Sequence, residues 1–117
     1  MPGVELLIQT ALLGEAVDNG PALVFVADEA MRYIAVSQSA CAALGYTREE
    51  LLQLHVPDVA REAEASTQYD EMLVRGFRYG TALLTRKDGS TVNFLYRAEQ
   101  TTVASMPLYV SVGFIYD

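Results

Sequence analysis

Few groups in this chain could do chemistry. It has one histidine, His55, and one cysteine, Cys41, in 117 residues. A single cysteine rules out an internal disulfide and any multi-cysteine metal site. One histidine with scattered carboxylates makes a weak ligand set, so no metal site is expected. No Ser-His-Asp set can be assembled around His55, and the eight glycines are dispersed, so no phosphate-cradling loop is present. Asp70 and Glu71 are neighbours on a predicted helix and point different ways, as on a solvated face. The chain reads as a non-enzyme. The polar groups best placed to orient a ligand are the hydroxyls of Tyr96 and Ser111, which sit among apolar residues on two predicted strands.

Those strands are positioned by the stretch LLTRKDGSTVNFLYRAE, Leu83 to Glu99. A two-residue Asp-Gly turn would set Leu84 against Asn93 and pair apolar with polar residues. A three-residue loop, Lys87-Asp88-Gly89 with Gly89 at positive φ, sets Arg86 against Ser90, Leu84 against Val92, Ala82 against Phe94 and Gly80 against Tyr96. The second register gathers apolar side chains on one face, and burial specifies register, so it is the one predicted. That face mixes bulk (Leu84, Phe94, Tyr96) with its absence (Gly80, Ala82), and the last strand repeats the mixture in Tyr109, Ser111, Gly113 and Ile115. Small beside large fits two arrangements: interdigitated packing, or a cavity between sheet and helix.

Around this hairpin the remaining elements follow from periodicity. Val4, Leu7, Ile8, Ala11 and Leu12 fall at helical spacing, widened by Leu6 and Leu13, and the helix ends at Asn19-Gly20-Pro21. It either lies on its own core or serves as a partner-binding or dimer helix. Ala22–Asp28 and Met31–Ser37 read as a strand hairpin, Gln38–Tyr46 as a short helix ended by Gly45, and Thr47 with Glu50 as a capping box opening another helix that Pro57 stops. Arg61–Phe77 is the longest interior helix, with Tyr69, Met72, Leu73 and Gly76 on one face. Strands are predicted over Arg78–Arg86, Ser90–Glu99 and Pro107–Tyr116. This order predicts an α+β domain: a five-stranded antiparallel sheet with helices on one face and an N-terminal flanking helix. Residues 1–20 form the flank and 21–117 the domain.

The net charge of −7 repels phosphate backbones, so nucleic-acid binding is not expected. No run of about 18 apolar residues is present to span a membrane. The first twenty residues lack a secretory leader, and a cytoplasmic location is expected.

VFVADEAMRYIAVSQSACAALGYTREELL, RKDGS and VGFIYD occur in this order, and together they resemble a PAS domain, the sensory module of histidine kinases, diguanylate cyclases and transcriptional regulators. The resemblance runs from Ala22 to Asp117 and implies the same fold, with a ligand held between the sheet and the long helix. It departs from the family at Ser37-Gln38, where Asn-Pro or Asn-Ala is common, and a weaker helix cap is expected there. Family members usually continue past the position of Asp117 into a linker helix and an effector, so an excised sensor or a self-associating protein is expected.

The family's cofactors can be tested residue by residue. The reactive-cysteine position of its flavin photoreceptors is matched by Val56, and the flavin-amide positions by Leu84, Phe94 and Ile115, so a cysteinyl adduct is not expected. Haem sensors of the family use a histidine on the long helix, and Arg61–Phe77 has none, while His55 reads as a helix-end residue. No cofactor is assigned, and haem sensing through His55 stands as a third alternative. The expected ligand is a small, largely apolar or aromatic molecule lined by Cys41, Leu44, Tyr69, Met72, Leu73, Leu84, Phe94, Tyr96, Ser111, Gly113 and Ile115. Signal transmission, and a homodimer, are expected through Val4, Leu7, Ile8, Ala11, Leu12, the sheet face and the residues around Asp117. The rival expectation is a ligand-free dimerisation module with a filled core.

Overall fold

The computed structural model describes residues 2–61 and 77–116. The order of elements is α1 (Pro2–Asp18), β1 (Leu23–Ala27), β2 (Tyr33–Val36), α2 (Gln38–Leu44), α3 (Arg48–Leu51), α4 (Val56–Val59), β3 (Ala60–Arg61), β4 (Phe77–Thr85), β5 (Thr91–Val103) and β6 (Met106–Tyr116). The strands form one antiparallel sheet in the order β2-β1-β6-β5-β4-β3. The five expected strands are present. The two-residue β3 adds a sixth on the β4 edge, pairing Ala60 with Leu84 and Arg61 with Leu83. Arg61 and Phe77, the two ends of the expected long helix, are thus strand residues. Tyr69, Met72 and Leu73 lie outside the described residues, as does Asp117.

The β4–β5 hairpin adopts the three-residue loop. Leu84 faces Val92, Ala82 faces Phe94 and Gly80 faces Tyr96, with Gly89 at φ 90°. Glycine is needed there because a left-handed residue closes the loop at no steric cost. The Arg86 N–H donates to the Ser90 carbonyl at 2.7 Å, which closes the ladder.

Two turns differ from expectation. β2 begins at Tyr33 instead of Met31, because Asp28 Oδ1 accepts the N–H groups of Ala30 and Arg32 and holds the intervening loop. Met31 takes φ 64° in that loop. β5 and β6 run further than expected and meet at a two-residue turn, Ala104-Ser105, with φ 50° and 66°. Asn-Gly would be the usual choice for such a turn, and its absence hid the turn in the sequence.

The short helices are capped as their residues dictate. Ser37 caps α2 by accepting the Ala40 N–H, so the expected weakening does not occur, and Gly45 ends the helix at φ 78°. Thr47 and Glu50 form the predicted capping box of α3. Pro57 does not stop a helix; it sits in the first turn of α4, where a missing N–H costs nothing. α1 differs most from one of its two readings. Every side chain from Val4 to Val17 is exposed, so α1 does not lie on its own core. No helix of the described residues is long and apolar enough to cross a membrane.

Candidate functional site

Alternation along the strands decides which side chains turn inward. Leu23, Phe25 and Ala27 of β1, Ala82 and Leu84 of β4, and Phe94 and Ala98 of β5 are all buried. Among the neighbours between them, Leu83 and Leu95 are exposed and Val24 and Val26 half-buried. Cys41, Leu44, Leu84 and Phe94 share one packed cluster with Phe25, Tyr33, Val36 and Leu51. Leu44 is fully buried. Burying such side chains stabilises the fold by about 1.5–3 kcal/mol each.

An aromatic ladder crosses this face. Tyr33 and Phe25 lie 5.6 Å apart, Phe25 meets Phe94 edge-on at 5.7 Å, and Tyr96 stacks on Phe94 at 5.6 Å. Burial and the nearby Asp58 push the Tyr33 hydroxyl's pKa far above its usual value, so it stays neutral. Phe25 was not singled out from the sequence, although the alternation of Leu23, Phe25 and Ala27 carried the signal.

Between Phe94 and the buried pair Ala98 and Tyr109 the face is only half-buried. Tyr96 and Ser111 are half-buried, and Ile115, opposite Phe94, is 38% exposed. Tyr96 faces Gly80 on one side and Gly113 on the other. A Cβ on Gly80 would lie 2.9 Å from the Tyr96 hydroxyl. The glycine therefore makes room for that ring. Gly113 plays a tighter role than a pocket wall. A Cβ there would meet the Leu95 carbonyl oxygen at 2.1 Å and the Tyr96 Cα at 2.8 Å. Close backbone approach, rather than open space, accounts for it.

The single cysteine lies in the core cluster against which Tyr96 packs, and the single histidine lies outside it. Burial pushes the Cys41 thiol's pKa up, with Arg48 opposing. His55 is exposed at the start of α4, where its N–H donates to Asp58 Oδ2 at 2.8 Å. Among the described residues no group of three His, Cys, Asp or Glu side chains gathers to hold a metal. A groove between α2, α3 and the β4–β5 loop is lined by Arg48 and Lys87, but each cation is paired: Arg48 with Asp18 and Lys87 with Glu50, both at 2.6 Å. The Asp18 pairing spans 30 positions and carried no local signal in the sequence.

A second surface lies on the opposite side of the sheet. Phe77, Tyr79, Leu83, Leu95, Val112 and Phe114 are exposed there. Arg97 lies over the rings of Phe77 and Tyr79, 4.9 and 5.0 Å from their centres, and pairs with Glu99.

Similar architecture occurs in solved structures. A PAS domain of an HTR-like protein from Haloarcula marismortui is 23% identical, with a TM-score of 0.84 over 98% of each chain. A PAS domain from a two-component sensor histidine kinase is 11% identical, with a TM-score of 0.81 over 93% of this chain and 97% of the other. A domain of a sensory box sensor histidine kinase/response regulator from Geobacter sulfurreducens is 18% identical, with a TM-score of 0.73 over 93% and 96%. At these identities the likeness establishes the fold. The comparison with curated proteins gave no match. The family model described as PAS domain matches residues 21–117, which is most of the chain. With its sheet, its short helices and that match together, the chain belongs to the PAS domain family, the sensory modules of signalling proteins.

Proposed function

We propose that this PAS domain binds a small, largely apolar or aromatic molecule on the inner face of the sheet, beside Tyr96, and passes the bound state to α1. The observation that carries this reading is the arrangement around Tyr96. Its ring stacks on Phe94 and its hydroxyl reaches over Gly80 on β4, while the half-buried Ser111 lies on the other flank of β5, opposite Ala98. The Tyr96 hydroxyl on one flank of β5 and the Ser111 hydroxyl on the other can orient a ligand whose body rests on the aromatic ladder. Leu84, Phe94, Cys41 and Leu44 shape the inner end of the site, and Ile115 its open edge. Tyr69, Met72 and Leu73, expected in the lining, lie outside the described residues, and Gly113 brings β6 close behind Tyr96.

Transmission runs to a second copy in this reading. Val4, Leu7, Ile8, Ala11 and Leu12 of α1 are exposed, with Leu7 72% so, and the outer sheet face is exposed and apolar as well. Apolar surface of this extent marks an interaction site. A homodimer would report the ligand to an effector in a longer parent chain, beyond Asp117. A ligand shifts such a switch only if it binds the two arrangements unequally.

One observation favours a second reading, a dimerisation module with a filled core. Cys41, Leu44, Leu84 and Phe94 pack so closely together that each is 3% exposed or less. Native mass spectrometry of freshly purified protein separates the two. The sensor reading expects an added mass that is lost on denaturation, whereas dimers of bare chain alone would support the second. Once a binder is in hand, Tyr96→Phe should weaken a polar one by about 0.5–1.5 kcal/mol, the worth of one hydrogen bond.

A further inference from the structure

We infer that Asp18 is the joint of this domain: the residue that sets the direction in which α1 leaves the core and ties that direction to α2 and α3. Every residue of α1 from Val4 to Val17 is exposed, so among the described residues its orientation is fixed at its base. Asp18 is the last residue of α1 and its first half-buried one. A single carboxylate oxygen, Oδ1, accepts the Gln38 N–H in the first turn of α2 at 2.9 Å and Arg48 Nη2 of α3 at 2.6 Å. Arg48 Nε in turn donates to the Val36 carbonyl at the end of β2, 3.2 Å away. One side chain thus connects α1 to two helices and a strand end.

The far side of this joint is itself fastened. Ser37 exchanges hydrogen bonds with Val24 through its backbone N–H and its hydroxyl, and the Ser39 hydroxyl donates to the Ala22 carbonyl at 2.9 Å. The start of α2 is therefore locked to the start of β1, while its later residues Cys41 and Leu44 reach the core beneath the sheet. Any displacement of α2 by a change in that core moves the group to which Asp18 is bound. Leverage enlarges the movement. A 17-residue helix is about 25 Å long, so a tilt of roughly 10° at its base carries its tip about 4 Å. Asp18 is a positioning residue in this account, since it touches no ligand. Its energetic share is small, because a half-exposed ion pair contributes little to stability. Direction is what it supplies. The inference rests on α1 being the output of the proposed sensor.

The test measures direction. Spin labels at the exposed positions Gln9 and Gln53, in a Cys41→Ala background and diluted with unlabelled chain, report the distance between α1 and the core by pulsed electron resonance. The parent should give one narrow distribution. Asp18→Ala and Arg48→Met should each broaden it at least twofold, while the thermal midpoint of the sheet stays unchanged. Asp18→Asn, which keeps an acceptor for Gln38, should fall between. Distributions matching the parent in either Asp18→Ala or Arg48→Met would overturn the inference. Should Asp18→Ala fail to fold, Arg48→Met answers the same question from the partner side. No ligand enters the measurement. A negative result here leaves ligand binding intact, and a bare mass in native spectrometry leaves the joint intact.

Discussion

The Tyr96 hydroxyl occupies the space that a side chain on Gly80 would need, 2.9 Å from where the Cβ would stand. Gly113, on the other side of Tyr96, has no room for a different reason: its Cβ would meet the Leu95 carbonyl oxygen at 2.1 Å. A ring can yield by rotating, but a paired backbone cannot. Gly80→Ala should therefore cost about 1–2 kcal/mol, and Gly113→Ala roughly 3 kcal/mol or more. Urea denaturation of the two variants checks the ranking. Removing the hydroxyl with Tyr96→Phe should recover about 0.5 kcal/mol of the Gly80→Ala loss and nothing of the other.

The turn between β5 and β6 carries Ala104 and Ser105 in the left-handed region. Side chains with a Cβ cost roughly 1–2 kcal/mol each there. Replacing the pair by Asn-Gly should raise stability by about 1–2 kcal/mol without altering the Val103–Met106 pairing. A thermal midpoint that stays put or falls would contradict the turn geometry.

Cys41 is buried, and desolvation raises its thiol pKa despite the opposing pull of Arg48. Raising the pKa removes thiolate at any given pH below it. The native chain should therefore react with a disulfide reagent at pH 8 roughly 100-fold more slowly than the chain in denaturant, since access also requires opening. Its rate should keep climbing with pH after an ordinary cysteine has levelled off. Equal native and denatured rates would show Cys41 to be accessible.

α1 presents Leu6, Leu7, Ile8, Leu12 and Leu13, all more than half exposed. In the proposed homodimer this surface meets the second copy. Deletion of residues 2–17 should convert a dimer into a monomer in sedimentation velocity and leave the sheet's thermal midpoint nearly unchanged. Persistent dimers would move the interface to the outer sheet face around Leu95 and Phe114 alone.

Local chemistry in the sequence was legible where two signals agreed. The β4–β5 register followed from period-two alternation together with Lys-Asp-Gly, and the α3 cap from Thr47 with Glu50. Where one signal is missing, the sequence leaves the element's bounds open. Ala104-Ser105 lacks the glycine of a tight turn, so the last two strands were read too short. Pro57 reads as a helix stop but also suits a helix's first turn, and a contact with the loop before β2 fixes that turn: Met31 accepts the Val56 N–H at 2.7 Å. The inner face was drawn correctly, yet its small residues could not announce their purpose. Gly80 accommodates a tyrosine, whereas Gly113 accommodates a backbone, and both are one letter in a sequence. The Asp18–Arg48 contact joins residues 30 positions apart, and no periodicity foretells it.

Whether a small molecule occupies the inner face can be read from methyl resonances. Spectra of the protein as purified are compared with those of protein unfolded, stripped of small molecules and refolded. Occupancy should shift the inner methyls of Leu44, Leu84 and Ile115 and leave Leu83 and Leu95 on the outer face unchanged. Superimposable spectra, with no response from the inner methyls, would contradict it.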